Sequence, residues 1–187
     1  MCFVRYLKNF KTMKKIFTPL LSLALVIGLL AEAQSQITWK VNTKQAKITY
    51  NETGSGAEGT FSGLEATIKF DPLKLSNSSI TARIDAKSVT AKEEGQAADI
   101  TSSEYLNVAK YPYIRFESTN IKKKGEKFEL TGKLTMKGKT KEITVPFEFV
   151  KKNKTAVFKG KMTVAAKDFG MPVGDVFIDL EVPVDQK

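Results

Sequence analysis

Histidine is missing from all 187 residues. Without imidazole there is no Ser-His-Asp or Cys-His nucleophile activation, no histidine zinc ligand and no axial histidine for haem. Cysteine is almost as scarce. Cys2 stands alone, in a segment expected to be removed, which leaves no thiol and no disulfide in the working protein. Past residue 33 the only arginines are Arg83 and Arg115, so lysine carries the basic excess. Nucleic-acid readers favour arginine for bidentate and stacking contacts, so this basicity reads as a solvated surface and no nucleic-acid partner is expected. No apolar run reaches the roughly 20 residues that span a membrane. What is present is 42% hydrophobic content, enough for a packed core, at a length suited to one domain.

The first residues carry the features of an export signal. Lys14 and Lys15 form a positive n-region, Leu20 to Leu30 an apolar stretch, and Ala31-Glu32-Ala33 a small-x-small cleavage site. The expectation is a signal peptide over residues 1–33, with Met13 a candidate true start. One mature domain follows over 34–187, periplasmic or secreted. No cysteine follows the apolar stretch to take an acyl anchor. Removing residues 1–33 takes away five basic side chains and one acidic, lowering the formal charge from +10 to +6.

Period-2 alternation dominates the rest. It runs through Leu64 to Phe70, Ile114 to Ser118, Phe128 to Lys137, Ile143 to Phe149, Phe158 to Val164 and Ile178 to Val182. One apolar and one wet face per strand is the mark of antiparallel strands around a single interior. Turn signals separate them at Lys124-Gly125, Lys137-Gly138-Lys139, Lys152-Asn153-Lys154 and Pro172-Val173-Gly174. With Thr38–Asn42, Lys47–Tyr50 and Ile80–Asp85 the count is about eight strands, an all-β sandwich or barrel. Ser88 to Tyr111 breaks the rhythm and predicts a short helical excursion at one end. Phe128 falls on the inner face. So do Leu64, Ile68, Phe70, Ile84, Phe116, Leu130, Leu134, Met136, Val145, Phe147, Phe149, Phe158, Met162, Val164, Ile178 and Leu180. An eight-stranded barrel fills such an interior with side chains or encloses one small ligand. In the second case that inner set, Phe128 apart, is the candidate ligand-binding lining.

Other motifs carry less. Gly54-Ser55-Gly56-Ala57-Glu58-Gly59 spells a dinucleotide fingerprint, but that motif needs a following helix, and Thr60 to Phe70 alternates as a strand. A glycine-rich hairpin or bulge is expected. Asp168-Phe169-Gly170 matches the kinase triplet in letters alone, with no catalytic-loop partner. Asp175, Asp179 and Glu181 share a strand face opposite Val176, Ile178, Leu180 and Val182, so they are expected in solvent, not in catalysis. Asn51-Glu52-Thr53, Asn77-Ser78-Ser79 and Asn153-Lys154-Thr155 fit the glycosylation acceptor pattern, which matters only in a eukaryotic secretory host. Lysines recur on the wet face, among them Lys127, Lys133, Lys139, Lys141, Lys159 and Lys161. A solvated exterior accounts for them, with peripheral contact to an anionic membrane surface as the competing reading.

The stretch Tyr111-Pro112-Tyr113-Ile114-Arg115-Phe116-Glu117-Ser118-Thr119 resembles the "yP-x-I-x-F-x-S-T" line of the YceI-like family. In order around it, Leu130 to Lys141 resembles the family hairpin "v-x-G-x-L-T-x-x-G-x-T-k", and Asp168-Phe169-Gly170 its "D-F-G". Gly59-Thr60-Phe61, Ile84 to Val89 and Trp39 match its earlier elements. The resemblance implies an exported, antiparallel, up-and-down, lipocalin-like barrel that sequesters an amphiphilic lipid: an isoprenoid, quinone or fatty-acid derivative. No enzyme activity, metal or cofactor is expected. The alternatives are a filled barrel serving as a protein- or membrane-surface interaction module, and an enzyme on isoprenoid or polysaccharide substrates. Two departures stand out. Where the family commonly has Arg-Asp-x-His-Leu this chain has Gln96-Ala97-Ala98-Asp99-Ile100, and Ala166-Lys167 replaces its "N-R". The polar groups that would steer a ligand head are therefore changed.

Overall fold

The computed structural model describes residues 36–187; the predicted export signal lies outside the described residues. The domain is built from β1 (Thr38–Val41), β2 (Lys47–Glu52), β3 (Glu58–Phe61), β4 (Leu64–Lys69), β5 (Ser79–Asp85) and β6 (Thr90–Ala91). The short helix α1 (Gln96–Thr101) comes next. Then follow the long strands β7 (Tyr113–Lys124), β8 (Lys127–Met136), β9 (Lys139–Lys152), β10 (Thr155–Ala165) and β11 (Asp175–Gln186).

Several of the short strands are halves of one stave. β1 and β2 lie in succession along β11, β1 opposite residues 184–186 and β2 opposite 176–181. β4 and β3 pair in turn with β1 and β2, and β5 and β6 with β4 and β3. With β7 to β11 this makes a closed eight-stave antiparallel barrel in up-and-down order, sealed by the β1–β11 pairing. Closure leaves no free sheet edge around most of the circumference.

The turns follow from local chemistry. Lys137 and Gly138 both take positive φ, 50° and 73°, as the two-residue type I′ connection between β8 and β9 requires. At Gly132 a Cβ would collide with the Phe116 ring, so glycine is what lets that ring lean over β8. The β9–β10 ladder stops at Phe147 opposite Gly160. The next residue, Pro146, has no N–H to continue it. Beyond that point β9 keeps its pairing with β8, and β10 with β11.

Two packed clusters divide the interior. One end holds Trp39, Phe70, Phe128, Phe147 and Phe158 among its buried members. There Phe70 meets Phe128, Phe147, Phe149 and Phe158 with ring centroids 4.9–5.6 Å apart, mostly edge-on as the ring quadrupoles favour. Trp39 is 1% exposed, and its indole N–H donates to the Phe70 carbonyl at 2.9 Å. At the other end Leu106 and Val108 of the excursion pack with Leu134, Met136, Val164, Phe169 and Met171. The excursion is shorter than residues 88–111, because Thr90–Ala91 still pair with β3 as the end of a stave; the segment that follows caps this end and carries the short helix α1.

Candidate functional site

Between the two clusters the barrel is not filled. A cavity of about 460 Å3 remains, walled by inward side chains of nearly every stave. It falls within the size range of small-molecule sites. At roughly 30 Å3 per water-sized group, it has room for about fifteen carbon-sized groups.

The sequence-derived lining distributes as follows. Leu64, Ile68, Ile84, Phe116, Leu130, Leu134, Met136, Val145, Phe147, Phe158, Met162, Val164, Ile178 and Leu180 border the cavity. Phe70 and Phe149 do not, which corrects that part of the expected lining: both rings belong to the aromatic plug at the far end. Alternation assigns a side chain to the inner face but not to a height along the barrel axis. The wall also includes Ile48 and Tyr50 of β2, Ala66, Ile80, Ala82, and Ile100, Tyr105 and Leu106 of the excursion. The period-2 pattern of Lys47-Ile48-Thr49-Tyr50 was signal enough for the first two.

Polar groups gather at the excursion end. Glu52, the last residue of β2, is only 5% exposed. Its Oε1 accepts from the backbone N–H groups of Gly54 and Gly174, both at 2.8 Å. Its Oε2 accepts from the Ser55 N–H at 2.6 Å and the Ser55 hydroxyl at 2.7 Å. Ser55, above all through its hydroxyl, and the two glycine amides hold this carboxyl down to about 2, against the opposing effect of burial. Glu52 thus fastens the β2–β3 turn to the loop before β11. Sequence reasoning had placed Glu52 only inside an acceptor pattern; burial of a carboxylate in a turn depends on the loop facing it and leaves no periodic signal. The Gly54–Gly59 stretch is the β2–β3 hairpin, as the strand pattern after it required. Burial raises the Tyr50 phenol above its ordinary range, and its hydroxyl donates to the Thr90 carbonyl at 3.0 Å.

Gln96 and Asp99 of α1, three residues apart on one helix face, also border the cavity. The Gln96 Oε1 is buried and has no hydrogen-bond partner in the described structure. Lys137, outside the cavity wall, donates to the carbonyls of Glu104 and Gly170 and ties the excursion to the β10–β11 connection.

The exterior is ion-paired across strands. Lys161 meets Asp179 at 2.7 Å, Lys127 meets Glu148 at 2.8 Å, and Glu129 takes both Lys122 and Lys124. The carboxylates of Asp175, Asp179 and Glu181 stand on the outer face of β11, away from the cavity. Among the described residues no three of His, Cys, Asp and Glu come together to hold a metal ion.

Known proteins place this architecture. The chain is 32% identical to the protein YceI of Salmonella arizonae over 119 residues, 60% of this chain and 62% of that one. It thus spans about three fifths of the length of the curated relatives it matches. Among solved structures, BcnA of Burkholderia cenocepacia superposes with a TM-score of 0.72 at 25% identity, over 77% of this chain and 99% of that one. A polyisoprenoid binding domain from Saccharophagus degradans, implicated in plant cell wall breakdown, superposes with a TM-score of 0.61 at 9% identity. That match covers 81% of this chain and 99% of the other. The model of the YceI-like domain matches residues 32–187, the whole of the barrel, and the chain belongs to the YceI-like family.

Proposed function

We propose that this protein is an exported carrier that holds one amphiphilic lipid, with an isoprenoid or fatty-acid-like chain, inside the barrel and performs no chemistry on it. The observation that carries this reading is the apolar 460 Å3 cavity, shut by an aromatic plug at one end and bordered by polar groups only at the other. A chain entering it leaves water at about 0.8 kcal/mol per methylene buried. A chain of about fifteen carbons therefore gains roughly 12 kcal/mol before the loss of its freedom is subtracted. The polyisoprenoid-binding description of the Saccharophagus degradans domain, which shares the fold, supports a lipid ligand. Contact with an anionic membrane surface fits the excursion end, where Lys139, Lys141 and Lys167 pair with no carboxylate among the described residues.

The test is extraction and blockade. Mature protein purified from a bacterial host without detergent should release an apolar molecule on organic extraction, near one equivalent per chain by mass spectrometry. Ala82 borders the cavity and belongs to neither packed cluster, so Ala82→Phe should displace that molecule with little change in melting temperature. Extracts free of lipid, together with a strongly destabilised Ala82→Phe variant, would decide for a filled barrel, since overpacking a full core costs about 1–3 kcal/mol.

A further inference from the structure

Among the long strands β7 to β11, each neighbouring pair is laddered along most of its length except β9 and β10. β10 and β11 share eleven residue pairs and β8 and β9 share nine, whereas β9 and β10 share six. Continuing the β9–β10 register past Phe147 and Gly160 would set Met162 opposite Val145, Thr163 opposite Thr144 and Val164 opposite Ile143. None of these pairs forms. Lys161 to Ala165 therefore faces the first half of β9 as one bare sheet edge faces another. At about 3.3 Å per residue this seam is roughly 16 Å long. At its lower end Gly160 lies close to β9, where a Cβ would meet Val145 at 3.3 Å. At its upper end Lys139 reaches over the turn after β10, where a Cβ on Gly170 would come within 2.8 Å of the ammonium nitrogen.

The seam stands at the height of the cavity. Val145, Gly160, Met162 and Val164 border the cavity from this side. Ile143 and Met162, both half-buried, pack against the two interior clusters alike, which puts them between the clusters. Met162 also borders a depression on the outer surface, together with Thr144, Pro146, Lys161 and Thr163. Lys139 and Lys141 give a second sign that the wall is open here. They pair with Met136 and Leu134, both buried, and share the strand face of Val145 and Phe147, yet both lysines are exposed. Parting two staves anywhere along a complete ladder breaks backbone hydrogen bonds. At the seam no β9–β10 pair has to break, and a passage needs only side chains to turn, which the unbranched methionine does readily.

We propose that the lipid enters and leaves through this side wall, between β9 and β10, with Ile143 and Met162 as the gate, and not beneath α1. This rests on the lipid-carrier reading above and adds the route to it. Lys139, Lys141 and Lys167 flank the upper end of the seam, so a membrane surface held by them meets the opening itself.

The test closes each route in turn and follows the uncharged dye N-phenyl-1-naphthylamine by stopped flow in delipidated mature protein. Cys2 is the only native cysteine, so introduced cysteines are the only thiols of the mature domain. Thr144→Cys with Thr163→Cys, bridged by oxidation or by a short bis-methanethiosulfonate, ties the seam from outside. Thr163→Cys with Phe177→Cys bridges the complete β10–β11 ladder as a control. Glu104→Cys with Lys137→Cys pins the excursion where Lys137 already holds it. Tying the seam should slow uptake and release alike by about tenfold, leaving the affinity unchanged, and reduction should restore both rates. The control bridge and the pinned excursion should leave both rates as they are. Ile143→Ala needs no cross-link and alters no residue bordering the cavity; it should speed uptake and release together by about tenfold. Rates indifferent to the tied seam, rates slowed by pinning the excursion, or rates unmoved by Ile143→Ala would each overturn the route and leave the carrier reading intact. If the dye does not bind at all, the carrier reading falls and the route with it.

Discussion

Glu52→Gln keeps the size and shape of the side chain and removes only its charge and half of its accepting power. In the native protein each carboxylate oxygen receives two donors: the amides of Gly54 and Gly174 on one, the amide and hydroxyl of Ser55 on the other. Whichever way a glutamine is turned, its NH2 confronts two of those donors. The magnitude follows from the carboxyl group itself, which sits at about 2 in place of its ordinary 4.5. At 1.36 kcal/mol per unit, the ionised form contributes about 3 kcal/mol at pH 7. The folded-state value is depressed, so this stability is fully present above about pH 4.5 and is lost as pH falls toward 2. Urea unfolding of the native protein and of Glu52→Gln should therefore differ by about 3 kcal/mol at pH 7 and by only about 1 kcal/mol at pH 3. In a thermal scan at neutral pH the gap corresponds to a fall of roughly 6–12 °C for a domain of this size. The other carboxylates titrate in both proteins and cancel from the difference. A gap that stays constant from pH 7 to pH 3, or that is absent at pH 7, would refute the role assigned to Glu52.

Neighbouring positions on β9 test the register. Phe147, 5% exposed, faces inward, and Phe147→Lys should cost several kcal/mol or prevent folding, as burial of an unpaired charge does. Glu148 faces out toward Lys127, and Glu148→Lys should leave the melting temperature nearly unchanged; equal behaviour of the two variants would show the faces to be reversed. For export, intact-mass analysis of the periplasmic fraction should give a chain beginning near Gln34, and retention of Met1 or Met13 in that fraction would exclude cleavage there.

How much of this was legible depends on what each feature rests on. The strands were readable because an antiparallel sheet with one wet face writes its geometry into every second residue, as in Phe128 to Met136. The hairpins were readable because Gly125 and Gly138 supply backbone angles that few other residues adopt. The stave structure was less visible. Lys47 to Glu52 continues the stave begun by Thr38 to Val41, but nothing in the intervening turn distinguishes an interruption from a reversal. The cavity was not readable at all. Phe116 and Phe70 occupy equivalent inward positions, yet one borders open space and the other is packed among rings, a difference of height that appears only when the barrel closes. The polar end was the least accessible, since Glu52, Gln96 and Asp99 owe their surroundings to loops that meet across the barrel mouth.

Trp39 gives the barrel a built-in lamp with a restricted field of view. It is the only tryptophan in the sequence, it is sealed in the aromatic plug, and it does not border the cavity. Its emission should be blue in the folded protein and shift to the red as the plug opens to water, so it reports unfolding cleanly. A molecule seated in the cavity leaves its surroundings as they were. A titration followed at tryptophan wavelengths would accordingly stay flat while the barrel fills, and loading has to be watched through an added dye, through mass, or through Tyr50 and Tyr105 on the cavity wall.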